Sequence, residues 1–285
     1  MQLTNLSLTG QSKNLGDSNI VPNALTFDFL AFKSLTTLIL MDMEINKDKI
    51  GTFALLRNTL INFEATRCGL KCISDLLLCD TYQPTYSNEI EQFDSSSNAH
   101  LENETNVASN SNYMWKSLQY LNLRENNITV IDQSVTTAPL LKTLLLGTNS
   151  IKAIENLDSL SNLAVLELPD TNLAIIDGLH MKLGQLTRLD RGNNKIRSLA
   201  GCSKLYSLVN LNVPGNKIND MDNVFPVSNL PCLESLNLQG NHVTTVVDYR
   251  LKVFEAFGKR CSDLCLGKSI LNDRYCKICI LSMAS

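Results

Sequence analysis

Four cysteines near the end of the chain are the first residues whose spacing suggests chemistry: Cys261-x3-Cys265 is followed by Cys276-x2-Cys279. Four thiolates can hold zinc tetrahedrally. The first pair has the i, i+4 spacing of one helix face, where thiols also suit plain burial, and no other zinc-site landmark accompanies it. We therefore expect no metal. Catalytic constellations are scarce as well. His100, His180 and His242 are scattered, and none is joined to a Ser or Cys in a nucleophile motif. Neither G-x-x-x-x-G-K-[ST] nor G-x-G-x-x-G occurs, so no phosphate cradle or dinucleotide site is expected. The chain reads as a non-enzyme without a cofactor.

Composition narrows the partners. At 285 residues the chain could hold one or two globular domains or one capped solenoid, and 44% apolar with 19% charged residues fits an ordered protein. A net charge of -3 argues against nucleic acid, whose phosphates need clustered Lys and Arg. Apolar runs such as Leu76–Cys79 and Leu144–Leu146 are far too short to span a bilayer. The start, Met1-Gln2-Leu3-Thr4-Asn5, has no basic or long apolar block, so no secretory signal is expected. Nine cysteines, an odd number without a small-domain framework, favour a reduced cytoplasmic location over the display that sequons at Asn5, Asn103 and Asn127 would allow.

The elements that would position any binding residue come from an internal repeat. The pattern L-x-x-L-x-[LVR]-x-x-[NT]-x-[ILV] starts at Leu118, Leu141, Leu163, Leu186, Leu208 and Leu233, in steps of 23, 22, 23, 22 and 25 residues. Self-similarity of this period and spacing is the mark of leucine-rich repeats, which bury their apolar faces only by stacking. Two less regular copies precede them: Leu35, Leu38, Leu40, Met43 and Ile45, then Leu60, Phe63, Ala65, Cys68, Leu70 and Ile73. The expected fold is an α/β leucine-rich repeat solenoid of about eight repeats, curved, with a parallel β-sheet on the concave face and a helical C-terminal cap.

The expected organisation runs in four parts. Residues 1–30 form an N-terminal cap, with an extra repeat as the runner-up, and 31–246 form the solenoid. Within it, residues 80–112 hold Asp80, Glu89, Glu91, Asp94, Glu102 and Glu104 but no Lys or Arg, the composition of a disordered acidic loop. Tyr249, Val253, Phe257, Cys261 and Leu264 recur at helical spacing, which makes 247–265 a cap helix that Gly258 should bend or break. Residues 266–285 look like a divergent tail.

Two sets of residues are expected to matter. The asparagine after each leucine triplet can donate and accept at once, so Asn126, Asn149, Asn194, Asn216 and Asn241 should form a structural ladder, with Thr171 replacing one member through its hydroxyl. Outward strand positions should line the concave wall. The candidate partner-binding residues there are Tyr120, Asn122, Arg124, Leu145, Val165, Glu167, Arg188, Asp190, Asn210 and Asn212, with aromatic and arginine side chains the expected anchors. Arg191 breaks the pattern, because it stands where its neighbours have Leu168 and Val213. Its guanidinium must snorkel to water or meet a carboxylate.

Residues between the leucines carry a resemblance. DGLHMKLG at 177–184, KLYSLVNLNV at 204–213, LPCLESLNLQGN at 230–241, VDYRLKVFEAFGKR at 247–260 followed by Cys265, and FKSLTTL at 32–38 resemble the repeat region of the nischarin family, over roughly residues 30–265. The resemblance implies a non-catalytic scaffold in intracellular signalling, cytoplasmic and also endosomal. It implies binding to an integrin alpha-subunit tail, Rac and p21-activated kinase, and a role in restraining cell migration. Those proteins also carry a phosphoinositide-binding PX domain, which has no counterpart here, so membrane recruitment does not follow. The rival reading is a regulatory subunit of a protein phosphatase or other enzyme, of the short leucine-rich repeat type.

Overall fold

The computed structural model describes residues 3–10, 29, 31–45, 53, 55–79, 113–174, 179 and 183–258, with the backbone of 265–266. Each repeat contributes one short strand. In chain order these are β1 (Asn5–Thr9), β2 (Thr37–Met41), β3 (Asn62–Thr66), β4 (Tyr120–Asn122), β5 (Thr143–Leu145), β6 (Val165–Glu167), β7 (Arg188–Asp190), β8 (Asn210–Asn212), β9 (Ser235–Asn237) and β10 (Cys265–Leu266). They form one parallel ten-stranded sheet whose spatial order is the sequence order. Strictly sequential parallel pairing follows from the repeat: a parallel neighbour needs a crossover of a dozen or more residues, and every 22–25-residue unit supplies one.

The register aligns identical repeat positions. Leu121, Leu144, Leu166, Leu189, Leu211 and Leu236 stand opposite one another in an unbroken column, and Leu38 and Phe63 extend it toward the start. All of these side chains are buried, as are the flanking leucines at 118, 141, 163, 186, 208 and 233. Burying one such side chain stabilises by about 1.5–3 kcal/mol, which is why the stack closes only as a whole. The return path of most repeats is a 3-10 turn, as at Gln133–Thr137, Ala200–Cys202, Phe225–Val227 and His242–Thr245. Such turns take more room than strands spaced about 4.8 Å apart, so the solenoid curves with its sheet on the concave side.

Both ends differ from the expected layout. Leu3, Leu6 and Leu8 repeat the leucine spacing, and β1 pairs in parallel with β2, Leu6 opposite Leu38 and Leu8 opposite Leu40. The start of the chain is thus a strand of the same sheet. At the far end, a helix spans Tyr249–Phe257 with Val253 and Phe257 buried. It stops at Gly258, whose φ of 56° ends the helical path and is open to a residue without a Cβ. Beyond it β10 runs parallel to β9 with Leu266 opposite Leu236, so the backbone of Cys265, expected on the cap helix, and of Leu266, expected to begin the tail, lies in the sheet. Cys261, Leu264, Cys276 and Cys279, the acidic segment 80–112, and the histidines at 100 and 180 lie outside the described residues.

Between β3 and β4 the chain is held by aromatic packing. Phe53, Phe63 and Trp115 meet at centroid distances of 5.5–5.8 Å. The Trp115 indole N–H donates to the carbonyl of Leu77, in the short helix Ser74–Leu77, at 3.2 Å. Residues on either side of the acidic segment, Leu77 and Trp115, are thus bonded to each other in the core.

Candidate functional site

The asparagines wire each turn to the one before it. In Asn149, Nδ2 donates to Leu146 in its own repeat and to Leu123 in the previous one, both at 2.9 Å, while Oδ1 accepts from the N–H of Ile128 at 3.0 Å. Asn126, Asn194, Asn216 and Asn241 make the equivalent bonds. All five side chains are buried. Buried backbone groups at these bends would otherwise lack partners, a cost of about 1–3 kcal/mol each. Thr171 bonds differently: its hydroxyl shares one proton between Leu168 O at 2.9 Å and Asn194 Oδ1 at 3.1 Å, toward its own turn and the following repeat. A hydroxyl has one proton and a shorter reach than an amide.

Cys68 is a ladder member that the asparagine pattern hides. Its thiol contacts the carbonyl of Leu40 at 3.5 Å and that of Thr66 at 3.3 Å, the positions an amide reaches in other repeats. Burial pushes this thiol up to about 11, so it remains a neutral donor. The residue before each ladder position is left-handed. Asp42, Arg67, Glu125, Thr148, Asp170 and Asn193 have φ of 52–56°, and Gly215 and Gly240 occupy the same place without strain. Beside this row, glycine and proline alternate from repeat to repeat: Gly147 lies under the Pro169 ring and Gly192 under Pro214.

Arg191 neither snorkels nor meets a carboxylate among the described residues. It is 0% exposed. None of Nε, Nη1 and Nη2 has a hydrogen-bond partner. Burial pulls its pKa down to about 10. The Cys202 thiol nearby is pushed up to about 12 by burial, against the pull of the Arg191 charge.

On the concave wall the candidates divide. Arg188 and Asn210 are exposed, while Tyr120, Arg124, Val165, Asp190 and Asn212 are half-buried. Asn122, Leu145 and Glu167 are buried, with 6–7% exposure, and so are not the open contacts that their outward positions suggested. The register explains the burial of Leu145: it lies between Asn122 and Glu167, and Arg124 reaches across β5 to ion-pair with Glu167. Arg188 approaches the other oxygen of the same carboxylate at 3.2 Å. Asparagine amides tie the wall from repeat to repeat: Asn122 donates to Glu64 at 2.9 Å, Asn212 to Asp190 at 2.7 Å and Asn237 to Asn212 at 2.7 Å. Burial and the Glu64 carboxylate raise the Tyr120 phenol, which stays protonated as a donor. Along the wall's rim Arg67 is bonded to Asp42 at 2.6 and 2.9 Å and to Glu125 at 3.1 Å, holding the Asp42 carboxyl below its ordinary range. Residues 25–58 apart in sequence make this cluster, and no local pattern announces it.

No model of a known protein family matches the chain. Among solved structures it is similar to an internalin of Listeria monocytogenes, with 18% identity and a TM-score of 0.57, over 87% of this chain and 59% of that one. The architecture is the leucine-rich repeat fold. A leucine-rich repeat protein of Leptospira interrogans aligns at 16% identity and a TM-score of 0.48, over 74% of this chain and 44% of that protein. The chain thus spans under two thirds of the length of either solved protein. Among the described residues, no helix is long and apolar enough to cross a membrane, and no cluster of three or more His, Cys, Asp or Glu is placed to hold a metal.

Proposed function

We propose that the protein is a non-catalytic protein-interaction module that binds its partner along the concave wall of the leucine-rich repeat fold. The observation that carries this reading is the group formed by Tyr120, Arg124 and Arg188, side chains of the types that anchor interfaces, standing on a sheet whose turns are cross-bonded by the ladder. Extended concave surfaces are what solenoids offer a partner, and a rigid wall loses little entropy on binding. The resemblance between the inter-leucine residues and the nischarin family makes an integrin alpha-subunit tail, Rac and p21-activated kinase the first partners to test, in a scaffold that restrains cell migration.

The test is affinity capture with the wild type beside a Tyr120→Ala, Arg124→Ala, Arg188→Ala variant of equal melting temperature. We expect the small GTPase, kinase or integrin tail to be recovered by the first and lost by the second. Survival of every partner in the triple variant rules out the concave wall. Recovery of a phosphatase in place of these partners favours the regulatory-subunit reading.

A further inference from the structure

Glu167 is the most enclosed charge on the wall, and two arginines share it. Arg124 reaches it from the turn after β4 and Arg188 from β7; their side chains are 39% and 53% exposed, against 9% for Glu167. Among the described residues, these contacts leave most of the N–H donors of the two arginines unused, since each guanidinium carries five. The neighbouring acids do not draw on those donors. Glu64 accepts from the Asn122 amide, and Asp190 accepts from the Gly192 N–H and the Asn212 amide. The neighbouring carboxylates are thus bonded to wall amides, while the two partly exposed arginines keep unspent donors.

We propose that Arg124, Glu167 and Arg188 form a seat for a carboxylate side chain on an extended acidic segment of the partner protein. The incoming Asp or Glu accepts from the outer edges of both guanidiniums above half-buried Val165, which pairs in register with Arg188. Guanidinium and carboxylate match as planar forks, which favours this group over a single point contact. Glu167 already holds both arginines in place, so less side-chain freedom is lost on binding. The inference rests on the concave-wall reading and adds the chemistry of the partner.

The test uses a fluorescein-labelled peptide alternating Glu and Ser, with a Lys–Ser peptide beside it, and fluorescence anisotropy on the full chain. We expect Arg124→Gln with Arg188→Gln to weaken the acidic peptide by roughly tenfold or more. Lys195→Gln with Arg197→Gln, an equal charge change on exposed residues after the ladder position, should leave it unchanged. Glu167→Gln keeps the shape but removes the competing charge, so it should tighten binding, and it decides the matter if the double arginine variant fails to fold. Equal binding by wild type and the double arginine variant, equal losses in the two double variants, or tighter binding of the Lys peptide overturns the seat. If the seat fails while the triple alanine variant still loses its partners, the concave-wall reading stands without it.

Discussion

Replacing Arg191 with leucine should stabilise the protein. The guanidinium is fully buried with none of its nitrogens partnered among the described residues. The fall of its pKa from the ordinary guanidinium range to about 10 corresponds to about 3 kcal/mol of lost solvation, at about 1.4 kcal/mol for each factor of ten. Leucine, present at the equivalent Leu168, removes that cost but fills the site less completely, at a penalty of about 1 kcal/mol. The net gain is about 2 kcal/mol, which raises the melting temperature by about 4–8 °C. Arg191→Met, unbranched and nearer in length, should gain at least as much. Thermal unfolding followed by circular dichroism, with urea midpoints at unchanged slope, measures both. There is also a pH signature. Because the folded-state pKa lies below the unfolded one, the unfolded chain binds more protons above about pH 10, and wild-type stability rises there with pH. The advantage of the leucine variant should therefore shrink in alkaline buffer. An unchanged or lower melting temperature in both variants would falsify the premise that the guanidinium is unpaired.

Four further outcomes follow from the ladder, the turns and the rim. Asn194→Ala removes the amide bonded at 2.8–2.9 Å to Leu168, Gly192 and Leu173, and should cost about 3 kcal/mol by urea denaturation; a loss under half that would mean water replaces it. Gly147→Ala places a Cβ 2.8 Å from Pro169 Cγ, a loss of about 1–3 kcal/mol that Pro169→Ala should relieve in the double variant. Thr148 is β-branched at a φ of 56°, so Thr148→Gly should add about 0.5–1 kcal/mol, and a lower melting temperature would count against backbone strain there. Arg67 holds the folded-state pKa of Asp42 down, so this contribution is complete above the ordinary aspartate value of about 3.9 and fades as pH falls through the folded one. Arg67→Gln should reduce the acid sensitivity of the melting temperature below that point, and parallel acid curves would show that the pair contributes nothing.

The resemblance of inter-leucine residues to a family and the architecture itself come from different layers of the chain. Leucine spacing is a local periodicity, and a parallel stack is the simplest way to bury it, so Leu121, Leu144 and Leu166 could be placed from sequence alone. The same holds for the asparagines, because a bend that recurs every 22–25 residues needs one donor–acceptor group in each turn. The first strand was legible only as the runner-up reading of Leu3, Leu6 and Leu8, because a polar cap also fits residues of that pattern. The pairing of Arg124 and Arg188 on Glu167 was not legible, nor was the burial of Leu145 beneath that bridge. Outward position on a strand predicts exposure only when no neighbour's side chain lies across it, and which side chain reaches across depends on lateral register between repeats 21–43 residues apart. Cys68 could be placed at the asparagine position from spacing alone, but its bonds there were not legible, since a thiol can donate where an amide is expected. The periodic sequence determined which residues face inward and where the chain turns, because those follow from spacing. Only the tertiary structure decided which charges meet on the wall and that Arg191 is left without a partner among the described residues, because those depend on contacts between repeats.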